Sequence, residues 1–548
     1  MLRTTSFLAA ALFLAACAFG QQSKPKDLCA PPPGGAAPAL PAKLMTGQGK
    51  LHFAITTSNP KAQEFFDQGV NQMHSFWATE AERSFLQAAA LDPSAPMPHW
   101  GIAMVAAGDY RPRFQLDRDT PSKKKAAPVR LEPVGGPKRA IEAAKKAVAL
   151  AEVPGKATEL EKLYIASIAA RRSGKGEDAD AGYIKGLRAI AAAHPNEVEA
   201  KTYLALHLMR GFTTPDKQPR PGSMEAVEIL KDLVVKFPEH AGVHHYIIHG
   251  FEGSTFAKDA WPACRRYPEL VDNIPHALHM PGHIWAQTGK WDEAVKSFGD
   301  ASNNELGYIK ADKLYSTGHH GHNVHFLTMS LSFNGEYDKA VESAEGLLGF
   351  KENPRDAASI DNVYSTYRQG WFAMMRILVQ NEKWDEILTG TKLPTYDKPR
   401  EQAWRHWARA LAFNAKGDAD GAAREAREMD VALQDYKKKT KGDIAPPLVV
   451  ARLELAGQTT LARKKTEKGL RTLQMAATKE LALRYTEPTA YPRPVLEVLG
   501  AAALAAGKLQ TAETAFRGAL DQYPESRRAR TGLAETLKRG GKPVNAGS

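Results

Sequence analysis

Five residues fix what this chain can fold into. Gly69, Ala81, Phe85, Ala88 and Pro93 stand at positions 8, 20, 24, 27 and 32 of a unit of about 34 residues. Around them, residues 62–76 and 78–92 carry apolar side chains at spacings of three and four, which predicts two amphipathic helices joined by a tight turn. The small residues let two antiparallel helices approach closely. Such a unit cannot bury its apolar face alone, so neighbouring units must stack.

The template recurs with varying fit. Ala103 continues it, before a basic, Pro-rich insertion at residues 109–138 expected to be a surface loop. Ala226, Leu230, Leu233 and Pro238 fit a later unit, as do Ala260 with Cys264, and then Gly282, Ala294, Phe298 and Ala301. Gly335, Ala340 and Ala344 follow, then Gly417 and Ala422, and more weakly Gly457 with Ala462. Gly500, Gly507, Ala512, Phe516, Ala519 and Pro524 make the last full unit, and residues 527–538 read as a polar capping helix before a Gly-rich tail at 539–548. The pattern resembles the tetratricopeptide repeat. No segment shows sustained strand alternation, so an all-α, right-handed α-solenoid with a concave groove is expected over residues 51–538.

Hydrophobic residues make up 43% and charged residues 24% of the 548, an ordinary globular balance. The net charge of +12 is spread along the chain and lacks the aromatic interleaving of a nucleic-acid platform, which argues against a nucleic-acid partner. Residues 6–16 form an apolar run behind Arg3, too short to span a bilayer, and predict a signal peptide over residues 1–20. Leu14-Ala15-Ala16-Cys17 matches the bacterial lipobox, which would lipidate Cys17; cleavage after Gly20 is the competing reading. Either implies export, and lipidation implies a periplasmic protein anchored at the outer membrane, touching the membrane only through that lipid. Residues 21–50, rich in Pro and Ala, read as a tether.

Ten of the 17 histidines lie in three short stretches, HHYIIHGFE, HALHMPGHI and HHGHNVHFL. Their spacings of three and four put imidazoles on one face of a helix. In tetratricopeptide repeats the first helix of each pair lines the groove through positions 2, 5, 9, 12 and 13. Aligning Gly282 to position 8 places His276, His279 and His283 at positions 2, 5 and 9. One unit earlier, His245, His249 and Glu252 take positions 5, 9 and 12; one unit later, His322 and His325 take 2 and 5. An insertion at residues 303–320 makes this last register the loosest. His244 is expected to pack inward, and His319 and His320 to sit on a loop. His74 lies at position 13 of the first unit, several units from the cluster, and reads as unrelated to it.

Neutral imidazoles with one carboxylate suit Zn, Cu, Fe or Mn, and no thiolate stands in the groove. The bland alternative is a polar groove in which the histidines bond one another, backbone carbonyls or a bound peptide. Trp404 and Trp407 read as repeat packing rather than the floor of a pocket. The stretch from Tyr485 to Pro492 reads as a surface turn. Phosphate loops, nucleophile elbows and HExxH pairs are absent from the sequence.

HHYIIHGFE, HALHMPGHI and HNVHFL are similar to the segments HYYIHAVE, HLVHMPSHI and HNIHFL of a family of secreted or periplasmic bacterial tetratricopeptide-repeat proteins. FDQGVNQMHSF and YTEPTAYPRPVLEVLGAAALAAGK extend the likeness over about residues 62–538. The resemblance implies fold and site, not an activity. Together these readings predict an exported solenoid whose groove holds a transition metal on His245, His249, Glu252, His276, His279, His283, His322 and His325. If catalytic, it would use metal-dependent hydrolytic or redox chemistry. The rival expectation is a non-catalytic adaptor that holds a peptide or envelope protein in its groove.

Overall fold

The computed structural model describes residues 41–110, 135–174, 177–311, 317–350, 365–483, 486 and 488–543. The expected signal peptide with Cys17, the first part of the tether, most of the insertion at 109–138 and the end of the tail lie outside the described residues.

Helix α1 (Pro60–His74) starts on Asn59, whose side chain accepts from the Lys61 amide, with proline at its first position. It pairs with α2 (Ala78–Leu91) and is followed by α3 (Met97–Val105). The repeat signature is visible in what its glycines touch. A Cβ on Gly69 would stand 2.6 Å from the Phe85 ring, and one on Gly101 would stand 2.5 Å from the same ring. Phe85 is therefore clamped between successive first helices. Gly282 meets Phe298 at 2.6 Å in the same way, and Gly500 and Gly532 close on Phe516 from two sides. Position 8 must be glycine here because the aromatic ring at position 24 occupies the space of a side chain.

The stack continues through α4 (Pro137–Ala151), α5 (Glu159–Ser173), α6 (Glu177–Ala193), α7 (Val198–Leu208) and α8 (Ser223–Lys236). Next come α9 (Ala241–Phe251), a 3-10 turn (Ala257–Ala260), α10 (Trp261–Leu270), α11 (Pro275–Gln287), α12 (Trp291–Ala311) and α13 (Gly318–Asn334). The later half is α14 (Tyr337–Leu348), α15 (Thr366–Gln380), α16 (Trp384–Thr389), α17 (Pro399–Ala415) and α18 (Ala419–Thr440). It ends with α19 (Pro446–Ala462), α20 (Thr466–Leu481), α21 (Val495–Ala505), α22 (Leu509–Gln522) and α23 (Arg527–Arg539). Among the described residues there is no strand, only an isolated bridge between Phe212 and Pro219. The fold is an all-α solenoid of helix pairs. No helix among the described residues is long and apolar enough to cross a membrane.

Both ends return to the middle. The tether expected to run to residue 50 gives way earlier to packed chain, for Ala42, Gln48 and Phe53 are buried. The Asn273 amide donates to the Gly47 carbonyl at 3.0 Å. Helix α1 lies against α9, where Tyr246 meets His74 Nδ1 at 3.0 Å. At the other end, the Tyr523 ring stacks on Phe333 with centroids 5.1 Å apart, and the Pro524 carbonyl sits over Gly289. Gly289 turns at φ +76°, so a side chain there would meet both strain and the carbonyl. One apolar cluster ends near Phe333 and a second begins at Leu331, so α13 is shared by both.

Candidate metal centre

Helices α9, α11 and α13 carry the histidines. Helix α9 is buried along its whole length and stops at Glu252, whose extended backbone (φ −61°, ψ 133°) turns its carboxylate toward α11. Helix α11 starts with Pro275 and tolerates Pro281 inside it, and His279 and His283 project from one face, four residues apart.

These helices bring six of the eight expected ligands into two groups. Nitrogens of His245, His249 and His276 lie within 4.8 Å of one another, and so do nitrogens of His279, His283 and His322. The groups adjoin, with the His276 and His279 rings 5.9 Å apart. Glu252 belongs to neither group of ligand atoms but touches both. Its Oε1 is 2.6 Å from His283 Nδ1 and its Oε2 is 3.4 Å from His249 Nδ1. His325 is not brought in. It faces α15 instead, with Nδ1 on the Gln369 amide oxygen and its ring against Phe372. Burial, then the charge of Arg376, holds it well below the ordinary histidine pKa. His244 packs inward and bonds the Pro238 carbonyl at 2.8 Å. His319 and His320 are on α13 rather than a loop; His319 Nδ1 is 2.9 Å from Glu305, and His320 is buried.

Neighbours fix the tautomers of two rings. His245 Nδ1 faces the His74 backbone carbonyl, which can only accept, so the proton is on Nδ1 and the Nε2 lone pair is presented to the group. Glu252 does the same for His283, whose Nε2 stands 2.6 Å from His279 Nε2. That contact leaves His279 without a complete set of partners. If His279 Nε2 carries a proton it can donate to His283, but then the buried Nδ1 lone pair has no hydrogen-bond partner among the described residues. If the proton is on Nδ1, a buried donor lacks an acceptor and two lone pairs face each other. Burial, then the adjoining His283, His322 and His319 rings, holds His279 well below its ordinary pKa, so a second ring proton is disfavoured.

A third group behaves differently. His74, Glu199 and His240, all buried, also bring ligand atoms within 4.8 Å. Here every polar atom has a partner. His74 Nε2 and His240 Nε2 donate to the two Glu199 oxygens at 2.7 and 2.8 Å. Tyr246 donates to His74 Nδ1, and the Val243 amide donates to His240 Nδ1 at 3.2 Å. Although burial opposes it, the two imidazoles hold the Glu199 carboxyl well below the usual carboxylate range. This group is a closed hydrogen-bond clasp between α1, α7 and α9. Sequence spacing set His74 apart and passed over Glu199 and His240, because the link joins helices far apart in the chain.

Elsewhere, Trp404 and Trp407 are buried, 5.3 Å apart, and both pack on Tyr491 as repeat core. The stretch expected as a surface turn is anchored instead. Tyr491 is buried against Glu454, and Arg376 grips the carbonyls of Thr489, Tyr491 and Pro492.

No family model matches the chain, and no curated protein does. Among solved structures, yeast Tom70 is similar at 12% identity and a TM-score of 0.31, covering 87% of this chain and 96% of that one. The human IFIT1 dimer with PPP-AAAA is similar at 11% identity and a TM-score of 0.30, covering 87% and 90%. Cut9 with Hcn1 from the APC/C is similar at 11% and 0.29, covering 87% and 76%. The repeat assignment rests on this chain's own glycine–phenylalanine packing.

Proposed function

We propose that this chain is an exported helical-repeat protein that holds a transition metal on the histidines of α9, α11 and α13. One observation carries the reading: His279 and His283 present buried ring nitrogens to each other in a way that protons alone leave incomplete. A cation between them would take both facing Nε2 lone pairs, with the His279 proton on Nδ1. Two nitrogens on one tetrahedral zinc stand about 3.3 Å apart, so loading would spread this pair by about 0.7 Å from its 2.6 Å. The His74–Glu199–His240 clasp, satisfied in full, supports the distinction. A metal held by three neutral imidazoles keeps an open position and its full charge, as Lewis-acid, water-activating or redox chemistry requires.

The test is metal retention by the full chain through gel filtration, with and without His279→Ala. Retention by the wild type that the variant reduces supports the reading. A wild type that takes up no zinc, copper, iron or manganese favours the rival adaptor, whose groove histidines would contact a peptide.

A further inference from the structure

Six imidazoles exceed what one tetrahedral ion takes. A tetrahedral metal with an open position takes three protein ligands, and here two sets of three are already grouped, each drawn from two helices. The sets are side by side, linked ring to ring from His245 to His249 at 4.9 Å, to His276 at 6.0 Å, to His279 at 5.9 Å and to His322 at 5.1 Å. Glu252 reaches one imidazole of each set through Nδ1. A carboxylate in that place does not need to coordinate. It fixes the tautomer of His283 so that this ring presents Nε2, while its other oxygen stands 3.4 Å from His249 Nδ1.

We propose that the two sets are two adjacent metal positions, one on His245, His249 and His276 and one on His279, His283 and His322, coupled through Glu252. We further propose that they take ions of the borderline class, zinc or copper. This rests on the metal reading above and adds nuclearity, ligand class and the role of Glu252.

The donor set chooses the ion. All six ligands are neutral nitrogens, which suit zinc and copper, whereas magnesium and manganese want carboxylate and water oxygens. Two carboxylates face the histidines, Glu252 and Glu305, the latter 2.9 Å from His319 and 2.7 Å from Asn323. They offset part of the charge of two ions without entering either set. The remaining coordination position of each ion would take water, hydroxide or another small anion. His245, His249, His279 and His283 are all under a tenth exposed, and Phe76, Phe298 and Phe326 wall the rings. The third ligand of each set, His276 or His322, is only half-buried.

The experiment is a titration of the full chain with zinc and, separately, with cobalt(II) read by its visible absorption, with manganese as a control. We expect saturation at two ions per chain and no retained manganese. His245→Ala with His249→Ala, and His279→Ala with His283→Ala, should each leave one ion. Glu252→Gln, which keeps shape and can donate to an imidazole, should weaken binding about 10- to 100-fold. Saturation of the wild type at one ion would overturn the paired site while leaving the metal reading standing; that result needs no variant to fold. No uptake at all would overturn the metal reading itself. Unchanged affinity in Glu252→Gln would overturn the coupling.

Discussion

His245 turns its Nδ1 to the backbone carbonyl of His74, 171 residues earlier in the chain. The His74 side chain in turn is held by Glu199 and Tyr246. The first repeat therefore sets the orientation of a ring on α9, and does so through a backbone group that substitution cannot delete.

Removing the His74 side chain tests that arrangement. His74→Ala leaves the buried Glu199 carboxylate with His240 as its remaining imidazole donor, and losing a hydrogen bond to a charged group costs about 1.5–3 kcal/mol. The expected result is a lower thermal midpoint together with weaker zinc binding at His245, His249 and His276. An unchanged midpoint would mean that the clasp does not hold α1 to α9.

Gly282 separates packing from ligation. Gly282→Ala drives a methyl to 2.6 Å from the Phe298 ring and should destabilise by about 1–3 kcal/mol, as overpacking does. Gly299, in the paired helix, has nothing within 4 Å of such a methyl, so Gly299→Ala should be neutral or stabilise by about 0.5–1 kcal/mol. Denaturant melts of the two variants make the comparison.

Acid should unfold the protein earlier than its net charge suggests. Burial, then the Lys146 charge, lowers His99 to about 4, and burial lowers His207 well below the ordinary value. The unfolded chain binds these protons first, so the stability is fully present above about pH 6.5 and is lost as pH falls toward 4. Glu480 works in the other direction. Burial, with the nearby charge of Glu454, raises its carboxyl to about 8, so its contribution is full below about pH 4.5 and is lost as pH rises through 8. Melting curves across pH should therefore show a maximum near neutrality. His99→Gln should flatten the acid side and Glu480→Gln the alkaline side; unaltered profiles would contradict these assignments.

Export would leave a chemical mark. If Cys17 is lipidated, the mature protein begins with an acylated Cys17, and Cys17→Ser abolishes both acylation and membrane association. Intact-mass measurement of the mature protein decides it. An unmodified N-terminus at Gln21 would mean ordinary signal cleavage.

Much of this architecture is legible in the sequence, because glycine at position 8 and an aromatic at position 24 answer a local steric demand. Gly282 with Phe298 and Gly500 with Phe516 could be paired by spacing alone. The grouping of His279 with His283 follows from helical periodicity in the same way. What spacing does not carry is the register between distant helices. His74 is aligned to a groove position in its own unit, yet only the packing of α1 on α9 reveals its partners. His325 sits at the expected groove position of its unit and still faces Gln369, although His322 of the same unit joins the cluster. Arg376 shows the same limit, since its carbonyl partners lie more than a hundred residues away.

The most direct test is the metal content of the full chain, purified without a histidine tag and dialysed against zinc or copper. Bound zinc or copper, lost in part when His279 and His283 are both changed to alanine, is the predicted result. A wild-type chain that stays free of metal after exposure to both would contradict the central claim and return the histidines to a hydrogen-bonded groove.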